Sequence, residues 1–258
     1  MRLRYLEAVS SNLTPDTNKN RKGIMSSISV VVCAKNEENF LEGCLILLSK
    51  QKIRPEIIVI DNHSTDNTVK IAKKYADRVV YDDKSGIGKA RDMALDIAKG
   101  DIIAFCDADS RSPSDWTEKI IKNIEGYDAI SGPLSCYDGS YLMRKNFRIW
   151  ADLFPRFLSK FGYNNIWGAN MAFKRDVLKR YKFGIRFMED YNMSRQLRRK
   201  KVNFTRELTL PVSSRRFAKG FYRLCFRYYI ANYLKMKLSK NPEYEGYFSE
   251  TGSWKRKA

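Results

Sequence analysis

The stretch FCDADS, residues 105–110, closes an apolar run with two aspartates, Asp107 and Asp109. Strand alternation would put both on one side. A pair of carboxylates with loop freedom suits Mg²⁺ or Mn²⁺, which combine a few carboxylates with phosphate oxygens and water. Alone, the pattern equally describes a loop with helix-capping acids, so its neighbours decide. In DNHSTDNT, Asp66 and Thr68 suit a helix cap. Asp61, at a strand tip, could accept a hydrogen bond from a nucleobase N–H or a ribose hydroxyl. SGIGKARD is neither a P-loop nor a dinucleotide fingerprint, yet Lys89 and Arg91 near a helix start could meet a diphosphate. In MEDYNMS, Glu189 and Asp190 precede a basic helix. They are either ordinary helix electrostatics or a general base at the mouth of a cleft. His63 reads as a surface loop residue.

These residues need elements to hold them. ISVVVCAKNE reads as a buried strand followed by a helix through NFLEGCLILLSK. EIIVIDNHSTD is a second strand, DNTVKIAKKYA a helix, and RVVY a short third strand. GIGKARDMALDIAKG is a helix closed by Gly100, and DIIAFCDADS the fourth strand. SPSDWTEKIIKNI opens a helix with Ser112 before Pro113, and DAISGP is a fifth strand. Such alternation, with near-continuous apolar strands, predicts an α/β fold: a mostly parallel, Rossmann-like sheet flanked by helices. Asn36, Glu37, Asp61, Asp107 and Asp109 all fall at or beyond strand ends, where such sheets bind ligands. In the second half, YLMRKNFRIWADLFPRFLSKF reads as a helix interrupted near Pro155, and NIWGANMAFKRDVL as a strand or loop feeding a helix.

The chain has 258 residues and a formal net charge of +19, so an anionic partner is expected. From Arg195 to Lys240 there are fourteen Lys or Arg and one acid, Glu207. Within that stretch, Phe217 to Leu238 carries a basic, aromatic-rich helical pattern that suits either an anionic membrane surface or a helix packing its apolar stripe on its own domain with the charge solvated. Five cysteines, an odd number with no C-x-x-C pair, read as reduced thiols and favour an intracellular setting. No apolar stretch is long enough to span a bilayer, and no secretory signal pattern opens the chain. Residues 1–26 read as a polar tail, and Met25 is an alternative start.

The ordered set VVVCAKNEE, IDNHSTDNT, GIGKARDMALDIAKGDIIAFCDADS, WGANMAFKRDVL and MEDYNMSRQLRR resembles the family 2 glycosyltransferases of GT-A fold, over residues 28 to 216. The resemblance implies a catalytic domain at 27–216, with a nucleotide-binding half (27–133) and an acceptor half (134–216), then a basic helical extension at 217–258. It implies that Asp61 binds the base of a UDP- or GDP-sugar and that Ala34 and Glu37 line the same pocket, with Lys89 on the diphosphate side. Asp107 would lie near ribose and metal, Asp109 would ligate Mg²⁺ or Mn²⁺, and Asp190 would be the catalytic base. Trp167, Gly168, Asn170 and Glu189 would fall on the acceptor side, Trp167 stacking on a sugar ring or an apolar chain. The implied reaction is inverting, metal-dependent transfer of one sugar to a lipid-linked acceptor, a polyprenyl phosphate or a soluble glycan. The enzyme would be cytoplasmic, peripheral on the inner face of the membrane. Two departures stand out. The only histidine, His63, is misplaced for an additional metal ligand, and SSRRF (213–217) replaces the Q-x-x-R-W of processive synthases. A nucleotidyltransferase would want a glycine-rich loop after the first strand, where CAKNEENF has no glycine. A single-stranded nucleic-acid binder would leave the acidic residues without a purpose, and no nucleic-acid partner is expected.

Overall fold

The computed structural model describes residues 26–82, 86–159, 164, 166–184 and 189–215, and two short paired strands, Tyr247–Phe248 and Trp254–Lys255. The expected tail before residue 26 and the basic helix at 217–238 lie outside the described residues.

The sheet forms from runs of buried β-branched residues. β1 (Ile28–Ala34), β2 (Glu56–Asp61), β3 (Arg78–Tyr81) and β4 (Ile102–Asp107) are parallel to one another. β5 (Ala129–Ser131), β7 (Asn170–Lys174) and β8 (Val202–Phe204) complete seven strands in the order β3-β2-β1-β4-β7-β5-β8. β7 runs antiparallel to both its neighbours. A second, two-stranded parallel sheet joins β6 (Leu134–Cys136) to β9 (Leu210–Val212).

Period-2 alternation gives each sheet face its own core. Val30, Val32, Ile57 and Val59 pack on α1 (Leu41–Ser49), α2 (Thr68–Tyr75) and α4 (Trp116–Asn123). Val31, Ile58, Ile60, Ile103 and Phe105 pack on α3 (Ile87–Ile97), α7 (Arg175–Arg180) and α8 (Glu189–Gln196). This layered arrangement matches the expectation from sequence.

Two local expectations are corrected, and a third takes a definite form. Gly100 does not cap α3, which ends at Ile97. It lies where the chain crosses the start of β1, and a Cβ there would stand 2.5 Å from Ser29 N. The helix expected at Ser112–Pro113 begins at Trp116, whose N–H donates to Pro113 O at 3.0 Å. The interruption near Pro155 is a π turn, Ile149–Leu153, between α5 (Tyr141–Arg148) and α6 (Phe154–Ser159). Pro155 has no N–H for the carbonyl four residues back. The Trp167 indole supplies one instead, donating to Ala151 O at 3.1 Å.

Candidate active site

Four strand ends make the floor of the site. Ala34 and Asp61 end β1 and β2 and are register partners. The two loops that follow are laced together. Asn36 Oδ1 accepts from Thr65 N at 2.8 Å, Glu37 N donates to Thr68 Oγ1 at 2.7 Å, and Glu38 N donates to Asp66 Oδ2 at 3.2 Å. Asn36 and His63 both take φ of 53°, a left-handed geometry that short polar residues tolerate. Asp66 therefore serves the lacing as well as the start of α2, where it accepts from Thr68 N at 2.9 Å. The lacing fixes Asp61. Its Oδ2 accepts from Ser64 N at 3.1 Å, and its buried Oδ1 has no donor among the described residues. A buried carboxylate oxygen without a donor is costly, and a ligand N–H or O–H would relieve it. At the end of β3, the buried Asp82 accepts from Asn62 Nδ2 at 3.1 Å, a residue that the sequence reading passed over.

The two aspartates of FCDADS part company, which corrects the expectation of a common side. β4 ends at Asp107, so strand alternation does not reach Asp109. Asp107 follows Ile103 and Phe105 onto the α3 and α8 face, where its Oδ1 lies 3.4 Å from Arg91. Asp109 is buried in the turn beyond, and Arg215 Nε donates to its Oδ2 at 3.0 Å. The same guanidinium reaches Glu37 Oε1 at 2.6 Å and lies over the Phe40 ring at 4.3 Å. Arg215 is itself held from behind, because Asp138 accepts from Ser213 Oγ at 2.7 Å and Ser214 N at 2.5 Å.

Arg91 is not a surface cation waiting for a diphosphate. It is 3% exposed and joins three segments far apart in sequence. It donates to Glu189 Oε1 on α8, to Asp107 on β4, and to Gly168 O at 2.9 Å in the WGAN loop. A Cβ at Gly168 would stand 2.8 Å from an Arg91 terminal nitrogen, so a larger residue would require the guanidinium to shift. Lys89, two residues earlier in the first turn of α3, is half-buried.

The acceptor-side expectations change in character. Asn170 is 1% exposed. Its Nδ2 donates to Leu208 O at 2.6 Å and Gly132 O at 3.1 Å, and its Oδ1 accepts from Trp116 Nε1 at 3.2 Å. It is a joint between sheets rather than a substrate contact. Glu189 is likewise buried and paired to Arg91, so it positions rather than touches an acceptor. Trp167 is half-buried, tilted against Trp150 at 4.7 Å between ring centroids. Asp190 sits in the first turn of α8 beside the WGAN loop. Its carboxylate accepts from Tyr191 N at 2.7 Å and Gly168 N at 3.3 Å.

One cation, Arg91, thus stands among Asp107, Glu189 and Asp190. Burial pushes the Glu189 carboxyl up to about 7, against the pull of Arg91 and with help from the Asp190 charge. Burial raises Asp190 as well, opposed by Arg91 and by its backbone hydrogen bonds. A carboxylate raised towards neutrality is better suited to take a proton than one at the ordinary value. Among the described residues, no group of three or more His, Cys, Asp or Glu could hold a metal by itself. Asp107 and Asp109 fit a hard cation that arrives with phosphate oxygens, since such a cation needs only one or two protein carboxylates.

The chain matches the family model described as glycosyl transferase family 2 over residues 29–182, more than half of its length. It belongs to that family. It is 39% identical over 100 residues to the 4,4'-diaponeurosporenoate glycosyltransferase of Staphylococcus haemolyticus, covering 36% of this chain and 27% of that protein. It is 29% identical over 108 residues to the glycosyltransferase AglE of Haloferax volcanii, covering 38% of this chain and 36% of that protein. The chain thus spans about a third or less of these curated relatives. Among solved structures, the mannosyltransferase PcManGT of Pyrobaculum calidifontis, in complex with GDP-Man and Mn²⁺, superposes with a TM-score of 0.60 at 19% identity, covering 81% of this chain and 62% of that one. S. aureus TarS 1–349 gives 0.56 at 19% identity, over 74% of this chain and 61% of that one. The seven-stranded, mostly parallel sheet with helices on both faces is the GT-A arrangement of the family.

The described cysteines, Cys33, Cys44, Cys106 and Cys136, are free thiols, as their sequence context suggested. Among the described residues no helix is long and apolar enough to cross a membrane.

Proposed function

We propose that the protein transfers a single sugar from a nucleotide-diphosphate sugar to an acceptor, with inversion and with a divalent metal. The observation that carries this reading is the carboxyl edge of the sheet. It presents Asp61 with a buried oxygen that has no donor among the described residues, Asp107 ending β4, Asp109 just beyond it, and Asp190 beside the WGAN loop.

Asp61 and the small Ala34 receive the base, UDP- or GDP-type, with Glu37 beside them. Asp107 and Asp109 would hold Mg²⁺ or Mn²⁺ against the diphosphate, where the ion supplies neutralisation of the leaving group's growing charge. Lys89 in the first turn of α3 lies on the diphosphate side. Asp190 removes the proton of the acceptor hydroxyl as it attacks the anomeric carbon, so one displacement inverts the configuration. The Gly168 N–H and the Tyr191 N–H orient the Asp190 carboxylate, and Arg91 fixes the loop that carries Gly168. The halves 27–133 and 134–216 correspond to nucleotide and acceptor sides of this cleft. PcManGT with GDP-Man and Mn²⁺, and S. aureus TarS with UDP-GlcNAc, support the donor and metal classes. A lipid-linked acceptor or polyprenyl phosphate, met at an anionic inner membrane face, suits the +19 charge.

The test is a screen of UDP- and GDP-sugars for donor hydrolysis with Mg²⁺, Mn²⁺ and chelator. Asp109→Asn should abolish metal-stimulated turnover and weaken nucleotide-diphosphate binding while the fold survives. Full activity of that variant in chelator would end the metal-dependent reading.

A further inference from the structure

Seven large hydrophobic residues are more than a third exposed among the described residues, and five of them fall within Tyr141–Phe157. They are Tyr141, Leu142, Ile149, Leu153 and Phe157, exposed between 48% (Ile149) and 75% (Tyr141). The spacing of Leu142, Ile149, Leu153 and Phe157 follows the α5, π turn and α6 path along one side. Phe147, Ala151 and Pro155, four residues apart, take the opposite side and are buried. Such a concentration on one surface marks an interaction site more often than scattered single residues do.

The exposed charge within this segment has one sign. Arg144, Lys145 and Arg148 are exposed beside the apolar row. The only acid between Tyr141 and Phe157 is Asp152, which is turned inward and paired with Arg206 at 2.7 Å. An apolar face flanked by cations and free of exposed acid complements an anionic, apolar-backed partner. An equally basic surface, a second copy of itself included, is a poor electrostatic match for it.

We infer that the Tyr141–Phe157 segment docks the protein on an anionic lipid surface. Its inner side makes the location purposeful. Trp150 packs on Trp167, Trp167 precedes Gly168, and the Gly168 N–H holds Asp190. A bilayer against the outer side therefore lies one helix thickness from the acceptor side of the cleft. The apolar row enters the headgroup boundary while Arg144, Lys145 and Arg148 meet the lipid phosphates. This deepens the lipid-linked reading of the acceptor and rests on it only for its purpose, because binding to lipid is measured without any acceptor.

The test is co-sedimentation of the full chain with phosphatidylglycerol-containing and pure phosphatidylcholine vesicles at low and high salt. Wild type should bind the anionic vesicles, less so at high salt. Arg144→Gln/Lys145→Gln/Arg148→Gln should bind them about a hundredfold more weakly, at about fivefold per charge. Ile149→Ser/Leu153→Ser should lose at least tenfold. Both variants should keep the wild-type melting temperature and any donor hydrolysis. A third variant, Lys235→Gln/Lys237→Gln, reads the carboxyl-terminal stretch separately. Failure of wild type to bind anionic vesicles overturns the proposal. So does unchanged binding by the first two variants, or loss confined to the third. A dimer dissolved by the first two variants, without vesicle binding, would assign the surface to a second copy instead. Absence of donor hydrolysis in every protein would sink the sugar-transfer reading and leave the vesicle result standing.

Discussion

Replacing Arg91 by Met is the sharpest test of how the site is built. The side chain is 3% exposed and its guanidinium answers three acceptors: Glu189, Asp107 and Gly168 O. Removing one partner of a buried ion pair costs about 3–5 kcal/mol, because the other charge is left without compensation. Asp107 contributes little to that sum, since its side chain is 31% exposed and water can replace the lost contact. Glu189 contributes most, with a side chain only 10% exposed. The expected loss is therefore about 3–5 kcal/mol at neutral pH, carried by Glu189 and the Gly168 carbonyl. Glu189→Gln alone removes a charge but leaves a cation with Asp107 still near, so about 1–2 kcal/mol is expected. In Arg91→Met/Glu189→Gln the stranded charge is gone, and the double variant should be more stable than the sum of the single losses by at least about 1 kcal/mol. Urea unfolding of the four proteins at pH 7.5 measures this. Additive losses, or an Arg91→Met loss below about 1 kcal/mol, would refute the argument that Arg91 and Glu189 act as a buried pair.

Four further outcomes are expected. Asp190→Asn should lower kcat by about 10²–10⁴-fold on a hydroxyl acceptor with donor binding nearly intact; steady-state kinetics with the acceptor varied checks it. Glu189, raised to about 7 from 4.5, binds its proton more tightly in the folded chain than in the unfolded one. Its contribution to stability is thus fully present below pH 4.5 and lost as pH rises through 7. Glu189→Gln should flatten that part of the stability profile, measured by urea unfolding between pH 4.5 and 8. Asn170→Leu should cost about 2–4 kcal/mol, because three buried backbone carbonyls and the Trp116 indole lose their partner; thermal unfolding checks it. Arg215→Met should tighten Mn²⁺ binding to the donor-free protein several-fold, because the cation beside Asp109 is removed; calorimetric titration reads it.

The sheet was legible because its strands are continuous runs of Val and Ile with polar residues at their ends. The same rule placed Asp61 and Asp107 correctly, since a strand terminus in a parallel sheet is a positional statement as well as a conformational one. Pairings between remote segments were not legible. Arg91 meets Glu189 across 98 residues of sequence, and only the packing of α3 beside α8 over one sheet face brings them together. A signal was present, however. Arg91 lies three residues from Ala94 and six from Ile97 on the inward stripe of α3, and a cation at an inward position needs a buried partner. Asn170 carried a similar signal as a polar residue opening the apolar strand NMAFK. Its partners are backbone carbonyls of β5–β6 and the 206–208 turn, which no side-chain pattern announces. The separation of Asp107 from Asp109 turned on where β4 stops, a boundary that a regular strand pattern cannot fix.

A cluster of acids at the strand ends of a chain of net charge +19 is a local inversion of sign. Two arginines make it tolerable before any ligand is present. Arg91 answers Asp107 and Glu189 from below, buried and bound to backbone at Gly168, so it has no room to leave. Arg215 answers Glu37 and Asp109 from the loop after β9, and its side chain is 32% exposed. In the proposed reaction, the two would therefore differ in what they do as a nucleotide diphosphate and its metal arrive. Two cations cannot share the same face of the Asp109 carboxylate at contact distance without strong repulsion. Arg215 is the one placed to yield that oxygen, and diphosphate oxygens beside Asp109 offer it a new anionic partner. Arg91 meanwhile keeps Asp107, the WGAN loop and the Glu189–Asp190 corner in register. The contrast in burial, 3% for Arg91 against 32% for Arg215, is what the proposed division between a fixed and an exchangeable cation rests on.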